Sequence, residues 1–185
     1  MGVAIRFVET PNKRVEKFIQ RGRIHVICNN NPEWLAEPQR YHWSSMLYQE
    51  DDVLLLHRQQ PPISSLKELH GKVLGTRLGY VYNTALMEAF ARKRVTRQDS
   101  RELGTNLYLL SKQRIDAIID MRRSLNHALG KHPELPLNIG SWVIQRYDLP
   151  CVYSPHSPIS AERLNEVLQG LRDEGVIARP LNGEA

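Results

Sequence analysis

Residues 63–80 read ISSLKELHGKVLGTRLGY. Leu66–Leu69 makes a short helical turn that stops before Gly71. Val73–Thr76 (VLGT) is short and apolar enough for a strand. Gly79 follows, and Asn83 and Thr84 offer caps for a helix through Leu86, Met87 and Phe90. A strand that gives way to a helix is the building step of an open α/β sheet, and such sheets take ligands beyond the carboxyl ends of their strands. Arg77, Gly79 and Tyr80 lie at that end. An arginine there offers a planar fork to a carboxylate. A glycine-led helix start offers backbone N–H groups and the positive end of the helix dipole.

Working outward, the same α/β grammar continues. Asp52–Arg58 (DVLLLHR) is a strand, preceded by a long polar and aromatic loop at 29–50. Loops of that length in a small domain usually carry function. Ile24–Cys28 (IHVIC) reads as a buried strand. Before it, Thr10 and Pro11 start a helix with Val15, Phe18 and Ile19 on one face, and Gly22 stops it. Val3, Ile5 and Phe7 alternate in Met1–Glu9, so a strand is expected there, and the three elements would make a βαβ unit. Such a start lacks the apolar core of a secretory signal.

Downstream, Val95–Arg97 suggests a short strand. Thr105 or Asn106 caps a helix that turns Leu107 and Leu110 inward. Ile115–Asp120 is a buried strand and 121–129 a helix, with Asp120 its cap or a ligand contact. Residues 141–153 hold one or two strands around Pro150. Ser160 caps a last helix, with Leu164, Val167, Leu168 and Leu171 on one face, and Gly175 ends it. Arg23–Ile27 (RIHVI) and Arg114–Ile118 (RIDAI) share one form, each after an amphipathic helix. The echo points to two similar α/β lobes.

Composition sets the outer bounds. The 185 residues are 41% hydrophobic and 24% charged, which is globular rather than disordered. No apolar run has the ~18 residues of a membrane span. The net charge of +5 is spread along the chain instead of forming a nucleic-acid-binding arm, so it favours anionic ligands only mildly. The seven histidines show no metal-ligand spacing, and no nucleophile elbow or Walker loop occurs, so no metal, cofactor or catalytic residue is assigned.

Several ordered motifs resemble the type II periplasmic binding proteins, in particular the polar amino-acid solute-binding family. Ile63–Gly75 is similar to that family's segment "s-l-x-d-L-x-G-K-x-V-G", with Gly79 and Tyr80 at the family's spacing. Asn106–Leu110 with Gln113–Ala117 resembles its helix–strand "GR-i-DA" segment. Trp43, Ser44 and Tyr48 are similar to the stretch before the first hinge. Cys151–Ser154 resembles the second crossover strand, and Arg163–Gly175 the terminal helix.

The resemblance implies two α/β lobes that close on a small ligand. Lobe one would be 1–56 and 152–185, and lobe two 57–151. The hinges would fall near Leu55–Arg58 and Leu149–Val152. The family's opening strand, ligand loop and helix have no counterpart ahead of Gly2, so lobe one is expected to lack its first strand and helix. Its unpaired sheet edges would then invite a dimer. Cys28 and Cys151 would both fall in lobe one. Buried free thiols are the expected state, with a disulfide left open.

The expected ligand contacts are Trp34, Arg40, Arg77, Gly79, Tyr80, Asn106 and Asp120. The family's carboxylate-binding arginine falls on Glu37, with Arg40 three residues later. Its ammonium-binding aspartate falls on Met121, with Asp120 one before it. By resemblance the chain is a periplasmic, non-enzymatic solute-binding protein for an amino acid or related carboxylate. It would serve an inner-membrane ABC permease and bind no nucleic acid. The competing readings are a ligand-sensing module of a signalling protein and a dehydratase-like enzyme on the same fold.

Overall fold

Consecutive rather than alternating apolar residues mark the central strands of this chain, because a sheet covered on both faces buries every side chain. In chain order the described residues, 4–178 of a computed structural model, form α1 (Val15–Gln20), β1 (Val26–Ile27), β2 (His42–Trp43), β3 (Tyr48–His57), β4 (Val73–Arg77), α2 (Thr84–Ala91), β5 (Thr96–Ser100), α3 (Leu103–Ser111), β6 (Ala117–Met121), α4 (Arg122–Lys131), β7 (Leu137–Leu149), β8 (Val152–Tyr153) and α5 (Ala161–Asp173). They divide into two compact units. Unit 1 joins the residues up to Gln49 with those from Asp148 on, and unit 2 is Glu50–Tyr147. Residues 50–56 therefore lie in unit 2 and 148–151 in unit 1, the reverse of the expected lobe edges. The divisions fall inside β3 and β7, where the strand pattern itself gives no break.

Unit 2 is built on a five-stranded sheet in the order β5-β4-β6-β3-β7. β4 runs parallel to β5 and β6, and β3 runs antiparallel to β6. The alternation along β3 and β6 sorts two cores. Leu54, Leu56, Ala117 and Ile119 pack with Leu86 and Ala89 of α2. Val53, Leu55 and Ile118 pack with Leu107 and Leu110 of α3 and Leu125 of α4. One contact is unusually close. A Cβ on Gly75 of β4 would stand 2.6 Å from Ile115 Cδ1 and 3.2 Å from Asn106 Cγ.

Unit 1 carries a three-stranded sheet, β1-β8-β2, with both outer strands antiparallel to β8. The expected βαβ unit is not formed, because β1 is a two-residue strand that takes its partner from the far end of the chain. Over the described part of the strand expected at 1–9 none forms: residues 4–10 are irregular, with Ile5 82% and Phe7 95% exposed. Val3 lies outside the described residues. Alternation alone does not make a strand without an edge to pair with. Thr10 is no cap; its hydroxyl donates to Val8 O, and a 3-10 turn at Asn12–Arg14 precedes α1. Cys28 and Cys151 form a disulfide across 123 residues of sequence, which corrects the expectation of free thiols. A local reading of burial cannot see a partner that distant.

Two further corrections concern caps. Neither Thr105 nor Asn106 begins α3, whose first residue is Leu103. Asp120 does not cap α4. Glu50 of β3 does so, its Oε1 accepting the Arg123 N–H at 3.3 Å while its Oε2 holds Arg123 Nη1 at 2.6 Å. Asn83 and Ser160 cap α2 and α5 as expected, accepting from Leu86 N and Arg163 N.

Candidate functional site

The parallel strands of unit 2 bring their carboxyl ends to one edge, and the polar residues gather there. β4 ends on Arg77, and β6 carries Asp120 one residue before its end. Arg77 Nε stands 3.7 Å from Asp120 Oδ2, and its guanidinium lies 5.7 Å from the centre of the Tyr80 ring. Asp120 is 1% exposed. Its Oδ1 accepts the Met121 N–H, whereas Oδ2 accepts no hydrogen bond among the described residues. Burial pushes its carboxyl above the usual range, and Arg77 draws it back.

Gly79 has φ +86°, a left-handed conformation that only glycine adopts without strain. It lets the chain turn from Arg77 to Tyr80, whose N–H donates to Arg77 O at 3.1 Å. The loop is locked from two sides. Tyr82 Oη accepts the Arg77 N–H, and Arg97 Nη2 of β5 donates to Arg77 O at 3.3 Å and Tyr80 O at 3.0 Å. Arg97 also stacks on Tyr82 and Phe90 and pairs with Asp99 at 3.0 Å. Asn83 ties the start of α2 to Ile144 O of β7.

A second carboxyl belongs to this edge. Glu50, Asp51 and Asp52 follow one another on β3. Glu50 is held by Arg123, and Asp51 by Arg146 at 2.7 Å and Arg122 at 3.6 Å. Asp52 has no ion-pair partner among the described residues and is 5% exposed. Burial first and the Asp120 charge second push its carboxyl up to about 7, while a hydrogen bond from Tyr147 opposes them.

The remaining expected contacts are placed elsewhere. Asn106 is fully buried in α3, where its Nδ2 donates to Thr76 O at 3.0 Å and so braces helix against strand beside Gly75. Trp34 and Arg40 belong to unit 1. Trp34 is half-buried in the 3-10 turn Pro32–Trp34. Arg40 is exposed and pairs with Glu37 at 3.1 Å, so the two residues competing for the arginine position bind each other. Glu16 of α1 fixes this loop by accepting the Ala36 and Glu37 N–H groups.

No family model matches the sequence, and no curated protein matches it. Solved structures do. An ancestral arginine-binding protein bound to arginine superposes with a TM-score of 0.81 at 16% identity, over 96% of this chain and 79% of that one. A mutant of ArgBP from T. maritima gives 0.80 at 16% identity, over 99% and 80% of the two chains. The substrate binding protein of an amino acid ABC transporter gives 0.76 at 18% identity, over 96% and 78%. The chain has the two-lobe fold of the type II periplasmic binding proteins.

On this periplasmic-binding-protein fold, the structure gathers Arg77, Gly79, Tyr80 and Asp120 at one sheet edge of unit 2. Sequence reasoning missed Asp52, Tyr82, Arg97 and Tyr147. Asp52 carried a readable signal: an acid directly adjoining the fully apolar run of β3. Arg97 carried none, since TRQDS reads as an exposed edge.

Proposed function

We propose that the chain is a solute-binding protein for an amino acid or related carboxylate, delivering it to an inner-membrane ABC permease and catalysing no reaction. The observation that carries this reading is the Arg77–Asp120 pair at the carboxyl edge of the sheet. It offers a cationic fork beside a buried carboxylate oxygen that accepts no hydrogen bond among the described residues. A zwitterion supplies both complements, a carboxylate for the fork and an ammonium for the oxygen. Gly79 brings backbone close, and Tyr80 adds a ring face for a cation. Within unit 1, Trp34 and Arg40 are the contacts we assign, and in unit 2 Asn106 supports the edge from behind.

The solved neighbours support the reading by what they hold: arginine or glutamine in the ancestral protein and L-glutamate in a ligand-binding core. They are binding proteins rather than enzymes. The Cys28–Cys151 disulfide fits an extracytoplasmic location, where such bonds persist.

A thermal-shift panel of amino acids and organic acids tests the function. A true ligand at about a hundred times its Kd adds about 2.7 kcal/mol, which raises Tm by about 5–10 °C. Arg77→Ala and Asp120→Ala should abolish the shift. A panel in which no member moves Tm would overturn the reading.

A further inference from the structure

The loop that carries Arg77, Gly79 and Tyr80 is held from the neighbouring strand. β5 runs parallel to β4, with Arg97 beside Leu74 and Asp99 beside Thr76. Residues two apart on a strand share a face, so Arg97 and Asp99 lie on the side where Leu74 packs with Leu86 and Ala89 of α2. Asp99 Oδ1 accepts from Thr76 Oγ1 and from Arg97 Nε, each at 3.0 Å. This anchors the guanidinium with its Nη2 on two loop carbonyls, Tyr80 O at 3.0 Å and Arg77 O at 3.3 Å. Arg97 Cζ lies 5.4 Å from the centre of the Tyr82 ring and 5.5 Å from that of Phe90. Tyr82 serves twice, because its hydroxyl also accepts the Arg77 N–H. The backbone of Arg77 is thus bonded at both its N–H and its C=O, by residues that meet each other at Arg97.

We propose that Arg97 is the positioning residue of the ligand site: acting through the two carbonyls, it sets where the Arg77 fork and the Tyr80 ring stand. The inference rests on the solute-binding reading of this edge. Arginine supplies two things here that lysine does not. Its nitrogens serve Asp99 and the loop carbonyls together in one fixed plane, and that flat, weakly hydrated cation packs on ring faces. Once the fork is lost, the two carbonyls turn to water and the loop spends less time in the form that binds. Apparent affinity then falls with the fraction of competent molecules.

A graded series tests the proposal, read by calorimetry with the tightest binder among L-arginine, L-lysine, L-glutamine and L-glutamate. Asp99→Asn keeps an acceptor for Arg97 and should weaken binding about threefold. Arg97→Lys should weaken it about tenfold and Arg97→Met about thirtyfold. Leu125→Ala, in the core under α4, should lower Tm and leave the affinity of the folded protein unchanged. Arg97→Lys binding like wild type would overturn the positioning role, as would Leu125→Ala weakening binding as much as Arg97→Met. Amide hydrogen exchange followed by NMR reads the loop without a ligand. Arg97→Met should speed exchange at the Arg77 and Tyr80 N–H groups about tenfold more than at Ile118 of β6. Equal changes at all three would show that Arg97 only adds stability, and would overturn the proposal. If none of the four amino acids binds wild type, the effect on affinity falls with the solute-binding reading, while the exchange rates still decide whether Arg97 holds the loop.

Discussion

Asp52 shows how burial rather than residue type sets a side chain's chemistry. Its folded-state carboxyl titrates at about 7 against an ordinary value of 3.8. Because the folded value is raised, the neutral acid is the form that favours folding. That contribution is full below the ordinary value and is lost as pH rises towards 7. Wild-type protein should therefore lose stability across that window, by a few kcal/mol, in urea melts. Asp52→Asn should flatten the profile, and equal slopes for the two proteins would count against the assignment. Gly75 makes a steric prediction at the same scale. Gly75→Ala forces a Cβ to 2.6 Å from Ile115, so α3 or Ile115 must shift, at a cost of about 1–3 kcal/mol in a denaturant melt. A variant as stable as wild type would show that this close approach relaxes freely.

Four helices end by one device. After α1, α2, α3 and α5 the residue in the left-handed region is Gly22, Lys93, Gln113 and Gly175, with φ of 62°, 56°, 52° and 71°. In each, the following N–H reaches back to the last full turn: Arg23 to Phe18, Arg94 to Ala89, Arg114 to Leu109 and Val176 to Leu171. The Arg-Ile echo thus begins one residue earlier than its letters suggest, with a shared helix stop. Two of the four stops lack glycine. Lys93→Gly and Gln113→Gly should each stabilise by up to about 1 kcal/mol, or about 2–4 °C in Tm. A lowered Tm in both would refute the strain argument. What was legible in the sequence was of this local kind: Asn83 and Ser160 as caps, and Leu54–Leu56 and Ile118–Ile119 as strands buried on both sides. What stayed hidden depended on distance. Glu50 caps α4 from 73 residues away, β1 finds β8 across the whole of unit 2, and the apolar alternation at Ile5 and Phe7 meets no strand. The candidate site divides likewise. Arg77, Gly79 and Asp120 stand at strand ends a reader can locate, while Asp52, Tyr147 and Arg97 join them only through tertiary packing.

For the molecule as a whole, the disulfide is the feature with the largest energetic reach. Unit 1 is assembled from two separate chain segments, whereas unit 2 is continuous. A crosslink closing 123 residues removes loop entropy from the unfolded chain worth about 5 kcal/mol on the entropic account. Reduction, or Cys28→Ser with Cys151→Ser, should therefore weaken unit 1 selectively. Hydrogen exchange read by mass spectrometry should show β1, β2 and β8 losing protection in less denaturant than β4 and β6. Loss of protection in both units together would mean that they unfold as one.

The order of segments also sets a timetable for biosynthesis. Cys28 leaves the ribosome 123 residues ahead of Cys151, a wait of roughly 6–25 s at ordinary elongation rates. All of unit 2 is translated in that interval, so it can begin to fold while the earlier thiol is still single. Any oxidant that reaches the nascent chain too soon finds only foreign thiols for Cys28 to join, which makes the moment of oxidation, and not the strength of the finished bond, the step a cell must control.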